Sequence, residues 1–485
     1  MTLRKLLFLA LMLALCSGLV QLGWSATTDP TSKIAYRVLS ETANGGSTEA
    51  LVVLTKQADL SPASNLPTKA LKGQFVFNTL RAMANATQGP IISMLRQRGV
   101  PFQPFFIVNM IKVTGDRSLM EALAGRDDVA RIDANPLVHT ALPSADGTDT
   151  SFQPQGIEWN VQRVKAPDVW ALGYHGEGLV VAGADTGVQW DHPALKNHYR
   201  GWNGQQADHD YNWDDAVDHT TSPFDPHGHG TFTVSEMVGD DGQGNQIGVA
   251  PGAKWIACRN MDSGGNGTPA RYTECFQFMI APWPINDPQH GDPTKAPDSI
   301  NNSWVCPPSE GCNYDTLQSI VDAVRAAGIV PAMAAGNDGV NGCSSIDKPP
   351  AIYASAVTVG AVDSGNNIAS FSSRGPVTVD GSRRTKPDLS APGVGIRGAV
   401  PGNGYQGGWS GTSMAAPHVA GGVALLWQAK PSLVGNVGQT ESLMEHTAQH
   451  LTDSQATGYC RGPNPFVDNT FGYGLLNLLQ AVQAP

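Results

Sequence analysis

Short apolar runs alternate with helical patterns through the last two thirds of this sequence. Runs bounded by Gly and Asp predict buried strands at 179–184, 255–257, 329–335 and 356–362. Helical patterns follow at 230–238, 315–327, 414–428 and 440–447. This alternation continues over about 320 residues and predicts an α/β fold with a largely parallel sheet covered by helices on both faces. Ligands bind such a sheet at the carboxyl ends of its strands.

A shorter unit precedes this region. Its pattern is strand at 50–55, helix at 72–98, strand at 105–113, helix at 118–125 and strand at 129–132. The order resembles a βαββαβ unit, so we expect a small α+β, ferredoxin-like sandwich. The polar stretch that follows, up to residue 155, lacks apolar periodicity and is typical of an exposed linker. We place a domain boundary there.

The first residues of the chain predict export. Arg4 and Lys5 precede an apolar run at 6–22, and small residues follow at Gly23 and Ser25. This pattern is typical of a cleaved signal peptide, here residues 1–25, and predicts secretion to the medium or to a periplasm. We expect no stable membrane association after cleavage. The alternative is an uncleaved anchor, because the run approaches the length that spans a bilayer.

Acidic residues are concentrated after residue 150. The whole chain has 31 Lys and Arg against 42 Asp and Glu, a formal charge of −11. Residues 151–485 hold 17 of the basic residues and 31 of the acidic ones. Nucleic acids and anionic lipids are bound by clustered Lys and Arg. The charge pattern therefore argues against nucleic acid as a partner.

Six cysteines remain beyond the predicted signal peptide. An even number in an exported chain predicts disulfides, and six cysteines allow fifteen pairings. Cys306 and Cys312 are the most local pair, and free buried thiols are the alternative. The six are Cys258, Cys275, Cys306, Cys312, Cys343 and Cys460.

Four polar residues stand where an α/β sheet would form its site. Asp185 follows the strand at 179–184, and His229 and Ser413 each open a predicted helix. A serine hydroxyl becomes nucleophilic when a neutral imidazole takes its proton, and a buried carboxylate orients that imidazole. Asn337, at the end of the strand at 329–335, offers an amide donor to a developing oxyanion. The backbone N–H of Ser413 would be the second donor.

The residues around these positions resemble those of the subtilisin-like serine peptidases. Gly-Thr-Ser-Met-Ala-Ala-Pro-His at 411–418 is the most specific motif. Tyr-Asn-Trp-Asp-Asp-Ala-Val at 211–217 and Asn-Asn-Ser-Trp at 301–304 are most similar to the bacillopeptidase F branch of that family. The resemblance implies a three-layer α/β domain and an endopeptidase that forms an acyl-enzyme. It implies Asp185, His229 and Ser413 as catalytic triad, Asn337 as oxyanion donor, and no cofactor for catalysis.

The resemblance also divides the chain by function. It implies that residues 47–140 are an inhibitory propeptide domain, that 141–155 are a linker with the autocleavage region, and that 156–485 are the catalytic domain. The expected partners are protein or peptide substrates and the chain's own propeptide as an intramolecular inhibitor. We expect a monomer.

The substrate-binding walls are carried over from the same family. One wall is expected at Ser303, Trp304 and Val305, and the opposite one at Ala334, Ala335 and Gly336. Val305 stands where the family usually has glycine, from which we hypothesise a preference for small P1 side chains. A loop that turns away at Cys306 is the alternative.

A second departure follows His229. Phe232 stands where the family usually has a second histidine, and we interpret it as a packing substitution. His227 is a rival for the catalytic histidine, but the Gly-Thr after His229 favours His229. The resemblance implies that Pro350 aligns with a cis-proline of the family.

An acidic stretch raises the question of a structural metal. Calcium prefers several oxygen ligands from such loops, although a solvated acidic loop is the commoner explanation. The candidate ligands are Asp208, Asp210, Asp214, Asp215 and Asp218.

Two rival functions remain open from the sequence. Asp-Thr-Gly at 185–187 and Asp-Ser-Gly at 363–365 could be the paired motifs of an aspartic protease, with Asp185 and Asp363 sharing one proton. That reading predicts an all-β chain. A secreted adhesin without catalysis is the other rival, although it would be expected to lose at least one of the four polar residues.

Overall fold

The computed structural model describes residues 29–143, 156–451, 459–463 and 466–485. The predicted signal peptide lies outside these residues, as does most of the predicted autocleavage region. Within the described ranges, no helix combines the length and the hydropathy needed to cross a bilayer.

The first unit is a four-stranded antiparallel sheet with helices. Its strands stand in the order β2-β3-β1-β4. They are β1 (Ser47–Leu54), β2 (Phe102–Phe105), β3 (Met110–Asp116) and β4 (Val129–Ala134). The helices are α1 (Tyr36–Glu41), α2 (Lys69–Thr87), α3 (Gly89–Gln97) and α4 (Arg117–Ala124).

Two predicted elements of this unit are each divided. The helix expected at 72–98 is α2 followed by α3, and α3 begins with Pro90 in its first turn. Proline fits the first turn of a helix but not its interior, because it has no N–H to donate. The strand expected at 105–113 is β2 and β3, joined by a turn. In that turn the N–H groups of Phe106 and Ile107 donate to Gln277 Oε1 of the second unit, at 2.7 and 3.2 Å.

A seven-stranded parallel sheet forms the centre of the second unit. Its order is β15-β14-β13-β12-β7-β10-β8. The strands are β7 (Val180–Asp185), β8 (Trp213–Asp215), β10 (Lys254–Arg259), β12 (Ser299–Asn302), β13 (Val330–Ala334), β14 (Val357–Val362) and β15 (Leu389–Pro392). The predicted parallel sheet is confirmed.

Helices cover both faces of this sheet and give three layers. The helices are α5 (Trp159–Arg163), α6 (Ala166–Trp170), α7 (His229–Val238), α8 (Pro269–Ile280), α9 (Gln318–Ala326), α10 (Thr412–Ala429), α11 (Val437–His446) and α12 (Leu478–Gln483). Helices α7 and α10 pack on one face of the sheet, and α8 and α9 on the other.

Three short pairs of strands complete the second unit. Strand β6 (Gly156–Ile157) pairs with β9 (Asn245–Gln246), and β16 (Ile396–Val400) forms a hairpin with β17 (Gly404–Trp409). Strand β5 (Val138–His139), which follows the first unit, pairs with β11 (Asn266–Gly267).

The sequence analysis missed strands whose residues are polar. Strand β12 reads Ser-Ile-Asn-Asn, and all four residues are buried between β7 and β13. A central strand satisfies its backbone groups through two neighbours, so burial there does not require an apolar run.

The two units share a buried apolar cluster. Side chains alternate across a strand, so Leu51 and Val53 of β1 lie on the face of the sheet opposite to the one that packs with α3 and α4. They belong to the cluster that contains Val76 of α2 in the same unit and Tyr272 and Phe276 of α8 in the second unit. The exposed fractions of Leu51 and Val53 are 1% and 5%, so the first unit packs tightly on α8.

All six cysteines beyond the predicted signal peptide form disulfides. Cys306–Cys312 confirms the local pair. The other two are Cys258–Cys275 and Cys343–Cys460.

Candidate active site

Asp185 and His229 form a buried hydrogen-bonded pair. Asp185 is the last residue of β7 and His229 is the first of α7. His229 Nδ1 lies 2.8 Å from Asp185 Oδ1, and the side chains are 0% and 2% exposed. Asp185 Oδ1 also accepts from the N–H of Thr186 at 2.7 Å. The carboxylate is thereby fixed and holds one ring nitrogen of the imidazole.

Close backbone approach requires glycine next to this pair. A Cβ on Gly230 would lie 2.1 Å from the carbonyl oxygen of Gly187. A Cβ on Gly187, whose φ is +116°, would lie 2.0 Å from the carbonyl oxygen of Phe224. The glycines therefore allow α7 to begin against the end of β7.

Ser413 is the second residue of α10 and is 3% exposed. Its hydroxyl donates to the carbonyl oxygen of Ser303 at 3.3 Å, while the hydroxyl of Ser303 donates to the carbonyl oxygen of Ser413 at 3.2 Å. His229 Nε2 is buried and has no hydrogen-bond partner within the described ranges. The structure thus joins Asp185 to His229, whereas the Ser413 hydroxyl is turned to Ser303.

Asn337 lies beside the same helix start. Its Oδ1 accepts from the N–H of Thr412 at 3.0 Å and from the Thr412 hydroxyl at 2.9 Å. Its Nδ2 lies 3.6 Å from the position that a Cβ on Gly411 would occupy. Because Thr412 holds the amide oxygen, the amide N–H groups are left to donate elsewhere.

The predicted walls enclose a cavity of about 270 Å³ beside Ser413. Ser303, Trp304 and Val305 line it after β12, with Ala334 and Gly336 on the opposite side. Ala335 is not among the lining residues. It is buried in the core, and its N–H donates to the carbonyl oxygen of Val359 at 3.0 Å.

Trp304 is held in place by the core. Its ring stacks on that of Tyr272, with centroids 3.8 Å apart and an interplanar angle of 6°. Its Nε1 donates to the carbonyl oxygen of Ala184 at 3.0 Å. The wall that precedes Val305 is therefore tied to the end of β7, next to Asp185.

The sequence analysis missed the segment 265–267, which pairs with the chain that leads from the first unit. The segment leading from the first unit pairs with it: β5 is antiparallel to β11, and the N–H of Thr140 donates to the carbonyl oxygen of Gly265 at 3.0 Å. His139, Thr140 and Ala141 line the cavity beside Ser413. The sequence feature that indicates this pairing is the Gly-Gly-Asn-Gly run at 264–267, because glycine lets another segment approach the backbone closely.

The departures from the family pattern are packing features. Phe232 is fully buried, which confirms its interpretation as a core residue. His227 Nδ1 accepts from the N–H of His229 at 3.3 Å. Burial lowers the pKa of His227. The histidine bound to Asp185 is His229.

The Pro349–Pro350 peptide is cis, as expected for Pro350.

The five candidate calcium ligands already bind donors of the protein. Asp215 and Asp218 both bind the guanidinium of Arg259, at 3.2 and 2.6 Å. Asp210 Oδ1 accepts from the N–H of Ile285 at 2.8 Å, and Asp208 Oδ1 accepts from the N–H of Asp210. Burial raises the pKa of Asp214. Calcium there stays a prediction.

Three other carboxylates cluster more closely. Oxygens of Asp388, Glu441 and Glu445 lie within 4.8 Å of one another, and this is the one such group within the part of the chain that the structure describes. Asp388 is also an ion-pair partner of Lys386, and Glu441 of Arg325.

The aspartic protease reading is wrong. It required an all-β chain, whereas Asp185 ends a strand of a parallel α/β sheet. Asp363 Oδ1 instead accepts from the N–H groups of Gly365 and Asn367 within its own turn.

Comparison with known proteins agrees with this geometry. Residues 176–474 match peptidase S8, the subtilase family. Bacillopeptidase F of Bacillus subtilis (strain 168) is 38% identical over 447 residues, covering 88% of this chain and 30% of that protein. Subtilisin E of the same strain is 30% identical over 84% of this chain and 88% of its own length. Subtilisin of Bacillus pumilus is 32% identical over 68% of this chain and all of its own length.

The chain spans less than a third of bacillopeptidase F but most of the subtilisins. The family match covers more than half of the chain and includes all four polar residues of the site. The chain therefore belongs to the subtilase family of serine endopeptidases.

Proposed function

We propose that this chain cleaves peptide bonds with Asp185, His229 and Ser413 as its catalytic triad. The observation that carries the proposal is the 2.8 Å contact between the buried Asp185 carboxylate and His229 Nδ1, which leaves Nε2 without a partner among the described residues. In the proposed reaction the Ser413 hydroxyl turns from Ser303 to this nitrogen. Catalytic hydrogen bonds often form only when substrate is bound.

The reaction is acyl transfer to water. His229 Nε2 takes the Ser413 hydroxyl proton as Oγ attacks the scissile carbonyl carbon. The imidazolium then gives this proton to the leaving amine, and the C–N bond breaks to leave an acyl-enzyme. Water repeats the two proton transfers and releases the new carboxyl group and Ser413. Asp185 stays ionised and stabilises the imidazolium.

Asn337 is the proposed donor to the oxyanion. The N–H and the hydroxyl of Thr412 both donate to its amide oxygen, which leaves Nδ2, 3.6 Å from the Cβ position of Gly411, free to donate. The N–H of Ser413 is the second proposed donor, because the first N–H groups of a helix have no partner within it.

The first unit is proposed to act as an intramolecular inhibitor. Two contacts support this: β5 pairs with β11, and Ala141 lines the cavity beside Ser413. A chain in this position blocks access of other substrates. Autocleavage within 141–155 would separate residues 47–140 from the catalytic domain at 156–485, so the chain is made as a zymogen.

Export completes the proposed function. Residues 1–25 are proposed as a signal peptide that directs the enzyme out of the cell, where protein or peptide substrates are cleaved. An enzyme held inactive until after export does not attack the machinery of its own host.

We separately propose a structural calcium ion at the acidic stretch of Asp208, Asp210, Asp214, Asp215 and Asp218. Chelation should lower the melting temperature, and calcium alone should restore it.

Cleavage of a peptide library by the secreted protein tests the activity. Ser413→Ala should abolish cleavage, and phenylmethylsulfonyl fluoride should inhibit the wild type while pepstatin does not. Ser410→Ala is the matched control, because Ser410 precedes α10, three residues before Ser413, and its hydroxyl accepts from the N–H of Gly395. Equal activity of Ser413→Ala and wild type would refute the assignment.

Intact mass spectrometry tests the zymogen. Made without other proteases, the wild type should yield a fragment that begins within 141–156, whereas Ser413→Ala should keep its propeptide. A Ser413→Ala protein at the shortened size would contradict autocleavage.

A further inference from the structure

A charged pair lies in the wall of the cavity beside Ser413. Lys348 Nζ is 2.5 Å from Asp338 Oδ2, and the two side chains are 25% and 35% exposed. Both residues line the same cavity as Ser413 and Asn337. Ala141, in the chain that follows β5, also lines this cavity, so a peptide bound in the same place would bring a side chain beside both the pair and Ser413.

Both members of the pair are held by the surrounding chain. Asp338 directly follows Asn337, and its N–H donates to the hydroxyl of Ser373 at 3.0 Å. Lys348 precedes Pro349, whose carbonyl oxygen accepts from the N–H of Cys306 at 2.8 Å. The pair therefore joins the loop after β13 to the segment beside the Val305 wall.

The pair has unused hydrogen-bonding capacity. A lysine ammonium has three donors, and Asp338 is the one partner of Lys348 Nζ in the described part of the chain. Asp338 Oδ1 likewise has no partner there. The cavity thus offers two free N–H groups and a free carboxylate oxygen close to each other.

Two further carboxyl groups face this region. Glu310 lines the cavity, and its Oε2 accepts from the N–H of His139 at 3.0 Å. Asp347 adjoins Lys348 in the chain, and burial raises its pKa. Neither displaces Asp338 from the ammonium group, so Lys348 and Asp338 are the charged pair that a substrate side chain would contact.

We propose that the Lys348–Asp338 pair determines P1 specificity and selects an uncharged side chain with both a donor and an acceptor, glutamine above all. A carboxamide accepts from Lys348 Nζ and donates to Asp338 without adding charge. A charged P1 side chain would be attracted by one member and repelled by the other. A large apolar side chain would remove water from both charges without replacing the hydrogen bonds that this water makes. The inference rests on the proposed function and names its substrate class.

This proposal replaces the preference for small P1 side chains that Val305 suggested in the sequence, because Val305 leaves room for a longer side chain. Val305 lines the cavity, yet about 270 Å³ remains with Ala141 in place. The wall's chemistry, rather than its size alone, therefore decides which longer side chains enter.

Processed wild-type enzyme tests this with peptides that differ only at P1, which is Gln, Glu, Lys, Leu or Phe. We expect kcat/KM for Gln to exceed that for Leu and Phe by at least about tenfold. Asp338→Asn leaves Lys348 unopposed and should raise the Glu to Lys ratio about tenfold or more. Lys348→Met should shift the same ratio in the opposite direction, and Lys348→Arg should keep the wild-type order.

Lys165→Met is the matched control, because Lys165 forms an exposed pair with Asp168 and does not line the cavity. It should keep the wild-type P1 profile. A wild-type preference for Phe or Leu over Gln, or Glu to Lys ratios unchanged within twofold in both pair variants, would overturn the inference alone. Absence of Ser413-dependent cleavage of every peptide would overturn the proposed function and, with it, this inference.

Discussion

The ring of Phe232 stacks on the ring of Trp409, with centroids 4.5 Å apart and an interplanar angle of 22°. Trp409 in turn lies beside His229, at 6.3 Å between ring centroids. Phe232 is fully buried and Trp409 is 5% exposed. The residue that departs from the family pattern therefore supports a ring that packs against the proposed catalytic base.

Removal of the Phe232 ring should destabilise the fold. Phe232→Ala leaves a cavity beneath Trp409, and we expect the free energy of unfolding to fall by about 3–5 kcal/mol. Measurements in a Ser413→Ala background avoid self-digestion. Tyr36→Ala is the control, since Tyr36 is 84% exposed, and it should change stability little. A loss below about 1 kcal/mol for Phe232→Ala would contradict the packing role.

Loss of the proposed oxyanion donor should slow the chemical step. Asn337→Ala is expected to lower kcat by roughly 10²–10³-fold with little change in KM, the loss typical of removing one such donor. Thr412→Val should lower kcat by a smaller factor, because it frees one of the two contacts to Asn337 Oδ1. Asn341→Ala is an exposed control nearby. Equal kcat values for Asn337→Ala and Asn341→Ala would rule out the assigned role.

The disulfides should differ in their contribution to stability. Cys343–Cys460 joins residues 117 apart in sequence, whereas Cys306–Cys312 joins residues 6 apart. A disulfide constrains the unfolded chain more when it closes a longer loop. Replacement of Cys343 and Cys460 by serine should therefore lower the free energy of unfolding by about 5 kcal/mol, and replacement of Cys306 and Cys312 by about 2.4 kcal/mol. Chemical unfolding of the two double variants measures the difference. Equal losses would mean that native-state strain or residual structure outweighs loop closure.

Glu236 should make the enzyme less stable at alkaline pH. It is fully buried on α7, its two carboxyl oxygens have no partner among the described residues, and burial raises its pKa well above the ordinary value. A group whose pKa is raised on folding stabilises the protein below its unfolded pKa. That contribution is lost as pH rises through the folded pKa, by about 1.4 kcal/mol for each pKa unit of difference.

Glu236→Gln tests this effect, because the amide is uncharged at every pH. Its stability relative to wild type should increase from pH 5 to pH 9 in thermal unfolding. Glu177→Gln is the control, since Glu177 is largely exposed and hydrogen bonds with Gln428 and the backbone lower its pKa. A constant difference between Glu236→Gln and wild type across this range would show that the pKa of Glu236 is not raised in the folded protein.

An ion pair between the two units should slow activation. Lys69 Nζ lies 2.7 Å from Asp298 Oδ1, and the side chains are 17% and 10% exposed. Lys69→Met leaves this partly buried carboxylate without its cation, and a loss of about 1.4 kcal/mol weakens binding tenfold. The full chain carrying Lys69→Met should therefore reach full activity sooner than wild type. Lys56→Met is the control, because Lys56 is an exposed lysine of the same unit. If Lys69→Met and wild type took the same time to reach full activity, the ion pair would have no effect on activation.

The sequence predicted the strands and helices that carry strong apolar patterns. The helix expected at 230–238 is α7, and the strand expected at 356–362 is β14, each within one residue. The sequence did not predict β12, which is mostly polar, or β11, which is Asn-Gly. Their burial depends on neighbouring strands that are distant in sequence, and a local pattern does not contain that information.

The sequence by itself determined the residue types of the proposed site and their order along the chain, because the flanking motifs resemble the family's and single out one Asp, His, Asn and Ser. It also determined the acidic balance and the even number of cysteines. Only the tertiary structure decided that Lys348 and Asp338, ten residues apart, face one cavity with Ser413. It likewise decided the cysteine pairing and the contact of β5 with β11. Such contacts follow from the packing of separate elements around one core, which no short segment specifies.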